Sequence, residues 1–197
     1  MPPPPPVTQA LLLINVALFC LDLFLGPWFS RLFALWPLGA NFLPWQLLSY
    51  SFLHGSIEHL FFNMLGLWMF GSELERLWGT RRFIYFWFAS VLAAALTQLI
   101  VALVIGSFSP TVGASGGLFG LLLAFGMLFP NRIIVPLIPP IPMRARNFVI
   151  LFGAIELALG FYSPAGGVAH FAHLGGMLGG WLTIRYWRGQ PPFGRRR

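Results

Sequence analysis

The apolar stretches of this chain run too long, and follow one another too closely, for a fold that turns its surface to water. Crossing the hydrocarbon of a bilayer takes about 20 apolar residues in a helix. Six stretches approach that length: residues 8–25, 56–74, 83–105, 115–129, 147–162 and 167–187. Only 9% of the 197 residues are charged, whereas a soluble domain carries roughly 25%. The expected fold is an all-α membrane protein, a single bundle of six transmembrane helices.

Charge placement orients the bundle. All twelve basic residues are arginine and the formal net charge is +7. Arg76, Arg81 and Arg82 separate spans two and three. Arg132, Arg144 and Arg146 separate four and five, while Arg185, Arg188 and Arg195, Arg196 and Arg197 follow span six. Only Arg31 falls on the other side, a strong positive-inside bias that predicts both termini in the cytoplasm. The same placement argues against nucleic acid as a partner, because the arginines flank apolar segments. The first outer loop, residues 26–55, is long and rich in tryptophan and proline, as expected of a structured element in the interface. Residues 1–7 read as a proline-rich cytoplasmic leader with no cleavable signal, 8–188 as the six-span domain, and 189–197 as a basic, disordered tail. Cys20 has no partner for a disulfide and reads as a packing residue.

Three polar sets interrupt the apolar spans. Gly113-Ala114-Ser115-Gly116 boxes a serine among small residues, His59 and Asn63 lie one turn apart on span two, and His173 lies on span six. At 1.5 Å rise per residue, His59, Asn63 and His173 fall roughly 5 to 10 Å below the outer ends of their helices. Span four, at about 22 Å, is shorter than the hydrocarbon, which sinks Ser115 to a similar depth. The preceding residues 106–114, with Pro110, must then dip into the membrane, where irregular backbone is tolerated only within protein or beside a water-filled cavity. Gly116/Gly120, Gly175/Gly179 and Gly176/Gly180 form small-xxx-small pairs that let spans four and six approach closely.

This constellation suits nucleophilic catalysis. A serine becomes a nucleophile when a positioned base, commonly histidine, takes its proton. The oxyanion formed by attack on an amide needs fixed donors, which His59 and Asn63 can supply. His170, one turn before His173, is the competing base, and His54 reads as a supporting or structural polar contact. Glu156, in the middle of span five, has no evident partner in the site and reads as a helix–helix contact. With no acid to orient the histidine, a Ser–His dyad is expected. Three histidines (His59, His170, His173) could in principle ligate a metal, but H-E-x-x-H is absent and a metal leaves the serine unexplained. No metal or cofactor is expected.

In this order, on these spans, the residues resemble the rhomboid intramembrane serine proteases. His54-x4-His59-x3-Asn63 is similar to that family's second-span pattern, and Glu75 to Arg82 to its E-x-x-W-G-x-x-R segment. Gly113-Ala114-Ser115-Gly116 matches G-x-S-G, and Ala172-His173-Leu174-Gly175-Gly176 matches A-H-x-G-G. The resemblance implies a cofactor-free endopeptidase that cuts transmembrane segments of membrane-protein substrates near the outer face. Ser115 would be nucleophile and His173, favoured over His170, the base. The main-chain N–H of Ser115 would join His59 and Asn63 in the oxyanion hole. The fifth span and the loop at about 162–167 would serve as gate and cap. Two positions depart: Gln46 follows Trp45 where some members have arginine, and Phe119 stands where some have tyrosine.

A catalytically silent, client-binding rhomboid-like protein is the main alternative, but it would lack nucleophile or base. A transporter or channel would spread polar residues to the inner face, and here they stay in the outer half. The partners implied are transmembrane substrates and the lipid bilayer, and the expected site is a bacterial inner membrane. Oligomeric state and substrate identity are not encoded in any motif.

Overall fold

A computed structural model of the protein describes residues 3–39, 41–137, 139–162 and 169–194. The predicted cap at 162–167 is thus described only at Tyr162, and Arg195, Arg196 and Arg197 also lie outside the described residues. The chain is mainly helical. Helices α1 (Pro6–Leu25), α2 (Pro27–Phe33) and α3 (Gln46–Ser49) lead through a 3₁₀ turn, Tyr50–Phe52, to α4 (Ile57–Gly66). A π-helical segment, Leu67–Gly71, joins α4 to α5 (Ser72–Trp78) without a break, and α6 (Thr80–Ile105) and α7 (Ser115–Leu128) follow. A two-residue hairpin, β1 (Ile133–Ile134) with β2 (Met143–Arg144), precedes α8 (Ala145–Tyr162) and α9 (His170–Trp187). Helix α1 takes in Pro6 and Val7, so the first span starts two residues before the sequence-based boundary. The described tail turns back on α9, with Arg185 Nε donating to the Pro191 carbonyl at 2.8 Å.

By length and hydropathy, α1, α6 and α8 could each cross a membrane, and α7 is a shorter apolar helix. Their outward faces carry large exposed apolar side chains, among them Phe24, Leu103, Val104, Ile150 and Phe161. Patches of that extent are rare on monomeric proteins in water and suit a lipid solvent.

Helix α9 fills the centre. Its two glycine rows face different neighbours. A Cβ on Gly175 or Gly179 would meet Ala93, Thr97 and the Ala89 carbonyl on α6, whereas one on Gly176 or Gly180 would meet the Gly116 and Gly120 backbone of α7, Gly180 touching the Phe86 ring of α6 as well. The pairing of spans four and six is therefore made by Gly116/Gly120 with Gly176/Gly180. The Gly175/Gly179 pair, expected at the same contact, serves α6 instead. Trp87 covers Gly117 from α6 and is fully buried.

Glu75 secures one end of the bundle. It is 2% exposed, and its carboxylate accepts from the Val7 N–H at 3.0 Å, the Thr8 N–H at 2.7 Å and the Thr8 hydroxyl at 2.8 Å. The first N–H groups of a helix have no partner within it, and Pro6, the first residue, has none to offer. A carboxylate from a distant helix thus caps α1 and complements its dipole. At the same end Gly79, at φ +76°, turns α5 into α6, Trp78 packs edge-on to Trp187 at 5.3 Å, and Glu73 pairs with Arg132. The start of α1 and the end of α9 therefore share one end of the bundle.

Two substitutions test this packing. Gly176→Ala drives a methyl group into the α7 backbone, where neither helix can yield cheaply, and is expected to abolish recovery of folded protein from detergent. Glu75→Ala strands two N–H groups and a hydroxyl, and bonds to charged groups contribute about 1.5–3 kcal/mol each. A clear drop in thermal unfolding temperature is expected, with the fold retained.

Candidate active site

Ser115 opens α7, so its hydroxyl stands at the end of a buried helix beside irregular backbone. Residue 113 must be glycine on two counts. Its φ of +132° is one that side chains rarely adopt, and a Cβ there would sit 2.8 Å from the His59 ring. The segment before it is held from outside the helices: Leu35 and Thr111 form an antiparallel bridge, and the Gly113 N–H donates to the Tyr50 carbonyl at 3.0 Å.

The His173 Nε2 lies 2.7 Å from Ser115 Oγ. Phe119, one turn after the serine, stacks on the His173 ring at 4.3 Å and 5° between planes. The aromatic contact at this position is therefore complete without a tyrosine hydroxyl. The stack holds the imidazole edge towards the serine. His59 and Asn63 line the same cavity of about 1210 Å³ as Ser115 and His173. The Asn63 side-chain amide donates one bond to the His59 carbonyl at 2.8 Å, which fixes the amide and leaves its second N–H available. The cavity extends past Phe62, Met69, Phe148 and Phe152, between α4 and α8, to the hairpin at Ile134 and Pro140. Residues Ser107 to Val112, expected to dip beside water, line it as well, with Phe108 excepted.

His170 faces away from the serine. Its Nδ1 is 2.7 Å from Glu156 Oε2. Here the sequence reading needs correction, because Glu156 does have partners in the site: the same oxygen is 2.8 Å from Nδ1 of His173. That second approach is close but misaligned, and the His173 Nδ1 has no hydrogen-bond partner among the described residues. Depth estimates missed it because rise per residue gives no rotation about the helix axis, and rotation decides which neighbour a mid-helix glutamate meets.

Tyr50 escaped notice as a supporting residue, and Gln46 was singled out only as a departure from the family pattern. Tyr50 is 2% exposed and its hydroxyl donates to the Val91 carbonyl at 2.8 Å, tying the first loop to α6. Burial pushes its phenol up, so it remains a donor. Gln46 is fully buried. Its side-chain oxygen accepts from Trp36 and Leu43 N–H groups, and its nitrogen donates to the Leu32 and Asn41 carbonyls. The neutral amide thereby organises the loop without an arginine. A polar residue in so apolar a loop was the available signal.

His54 precedes α4, outside the spanning segments, and is 4% exposed. It packs edge-on to His59, ring centroids 5.0 Å apart, and neither ring nitrogen has a hydrogen-bond partner among the described residues. Burial first, then the nearby His59, pushes its imidazole down to about 3. The unfolded chain therefore takes up this proton more readily than the folded one. The stability held by the neutral ring is complete above about pH 6.5 and is lost as pH falls towards 3. Melting temperature in detergent should decline from pH 7 to pH 4, and His54→Phe should make that decline shallower.

Comparison with known proteins matches most of the chain to one family. The family model described as Rhomboid domain matches residues 41–189. Rhomboid protease GluP of Bacillus subtilis is 33% identical over 141 residues, covering 71% of this chain and 25% of that protein. Rhomboid protein 1, mitochondrial, of Saccharomyces cerevisiae is 33% identical over 185 residues, 91% of this chain and 52% of the relative. Rhomboid protease GlpG of Klebsiella pneumoniae is 28% identical over 179 residues, 89% and 60% respectively. The chain thus spans between a quarter and three-fifths of the length of these relatives.

Proposed function

This chain belongs to the rhomboid family, and from that premise we propose that it is an intramembrane serine endopeptidase that cuts transmembrane segments of membrane-protein substrates near the outer face. The observation that carries the reading is the 2.7 Å contact between Ser115 Oγ and His173 Nε2, in a cavity open along an apolar wall. His173 takes the serine proton as Oγ attacks the scissile carbonyl, then delivers it to the leaving amine. The Ser115 N–H, His59 and Asn63 receive the oxyanion, each donor contributing about 3 kcal/mol to transition-state stabilisation. Water entering beside residues 107–112 releases the acyl-enzyme, and no cofactor takes part.

The substrate helix unwinds into the cavity from between α4 and α8, whose lining side chains are mostly apolar. In this reading α1, α4 with α5, α6, α7, α8 and α9 are the six spans, both termini are cytoplasmic, and the membrane is a bacterial inner membrane. Residues 8–188 form the protease domain, with residues 1–7 and 189–197 as cytoplasmic extensions. His54, Gly113 and Gly116 support the site through the contacts described above.

A fluorophosphonate probe on purified protein, with cleavage of a model transmembrane substrate measured alongside, tests the assignment. Wild type should be labelled and should cleave. Ser115→Ala should lose both, and His173→Ala should lose at least about 10³-fold in kcat/KM with its melting temperature little changed. Folded wild-type protein that neither labels nor cleaves would instead indicate a client-binding rhomboid-like protein. Retained cleavage in His173→Ala would discard the assigned base.

A further inference from the structure

Glu156 is a carboxylate in direct contact with the histidine paired to Ser115, and the reaction as described above makes no use of it. It lies in the middle of α8, only 9% exposed, where an ionisable group is costly in lipid unless it has partners. Its partners are two histidines of the neighbouring helix, His170 Nδ1 at 2.7 Å and His173 Nδ1 at 2.8 Å, both to Oε2.

We propose that Glu156 is a positioning residue for His173, braced by His170, so that the reacting pair rests on a carboxylate carried by α8. This rests on the protease reading. For Nε2 to accept the serine proton, the proton of a neutral His173 must sit on Nδ1. No other group is within hydrogen-bonding reach of that nitrogen among the described residues, and a buried N–H without an acceptor is expensive. The Glu156 oxygen is near enough to receive it after a small turn of the ring, and catalytic hydrogen bonds often align only once substrate is bound. The carboxylate would then select the productive tautomer and stabilise the imidazolium that forms during attack. His170, whose Nδ1 already donates to the same oxygen, keeps the carboxylate from swinging away.

A metal is the competing occupant, since the three side chains offer ligand atoms within 4.8 Å of one another. The two close spacings argue against it. Ligands about 2.1 Å from a tetrahedral zinc lie about 3.4 Å apart, whereas 2.7 and 2.8 Å are hydrogen-bond lengths.

The test uses the full chain in detergent, with Glu156→Gln and Glu156→Asp beside wild type. Cleavage kinetics of a model transmembrane substrate are read together with ¹⁵N NMR of histidine-labelled protein. Glu156→Gln should lower kcat roughly tenfold to a hundredfold with KM within about twofold, a transition-state defect. That is less than the about 10⁴-fold lost where a fully aligned triad acid is neutralised. Glu156→Asp should recover part of the rate. His173 should be a single Nδ1–H tautomer in wild type and a mixture in Glu156→Gln. Unchanged kcat, or a loss that follows the folded fraction while the ring spectrum stays the same, would overturn the proposal. So would activity lost on chelation and restored by zinc, which would make the cluster a metal site. If wild type cleaves nothing, yet Glu156→Gln still redistributes the tautomers, the protease reading fails and the pairing stands.

Discussion

Lipid gives packed helices no hydrophobic reason to associate, so α9 holds its place through backbone contact. Its glycine rows bring it against α6 on one side and α7 on the other, closer than side chains would permit. The distance between Ser115 and His173 depends on this contact, because one stands at the start of α7 and the other on α9. Gly116, next to the serine, lies against Gly176, three residues beyond the histidine. Packing and the Ser115–His173 contact are therefore set by the same few residues, and a methyl group at the contact would separate both at once.

The opposite problem, keeping polar groups satisfied in an apolar bundle, is solved by long-range pairings. Glu75 supplies the missing acceptors for α1 across 67 residues of chain. Gln46 meets four backbone groups of the first loop. Tyr50 joins that loop to α6 through its hydroxyl and to Gly113 through its carbonyl. The first loop thus does more than cover the bundle, since it fixes the glycine turn from which the serine projects.

Much of this was legible in sequence because it depends on period and composition. The apolar spans 8–25, 83–105 and 147–162 differ from α1, α6 and α8 by no more than three residues at either end. The shortness of α7 and the irregular backbone before Ser115 followed from counting residues against bilayer thickness. Features that depend on helix rotation were not legible. Gly175/Gly179 and Gly176/Gly180 look equivalent along the chain, but one residue of offset turns them through about 100° and towards different helices. Glu156 looked isolated for the same reason.

That rotation gives Glu156 its mechanistic interest. Ser115, His59 and Asn63 belong to α7 and α4, and His173 to α9, which the glycine contacts hold against α6 and α7. Helix α8 makes looser contact, with Phe148 and Phe152 along the cavity wall, and it offers α9 fewer backbone approaches than α6 or α7 do. A substrate helix entering between α4 and α8 would displace the element that carries the carboxylate. The misaligned 2.8 Å approach to His173 is then a contact that such an entry would move. In the proposed protease, a histidine placed by glycine packing but oriented from the α8 side would have a tautomer sensitive to substrate, whereas its position would not be.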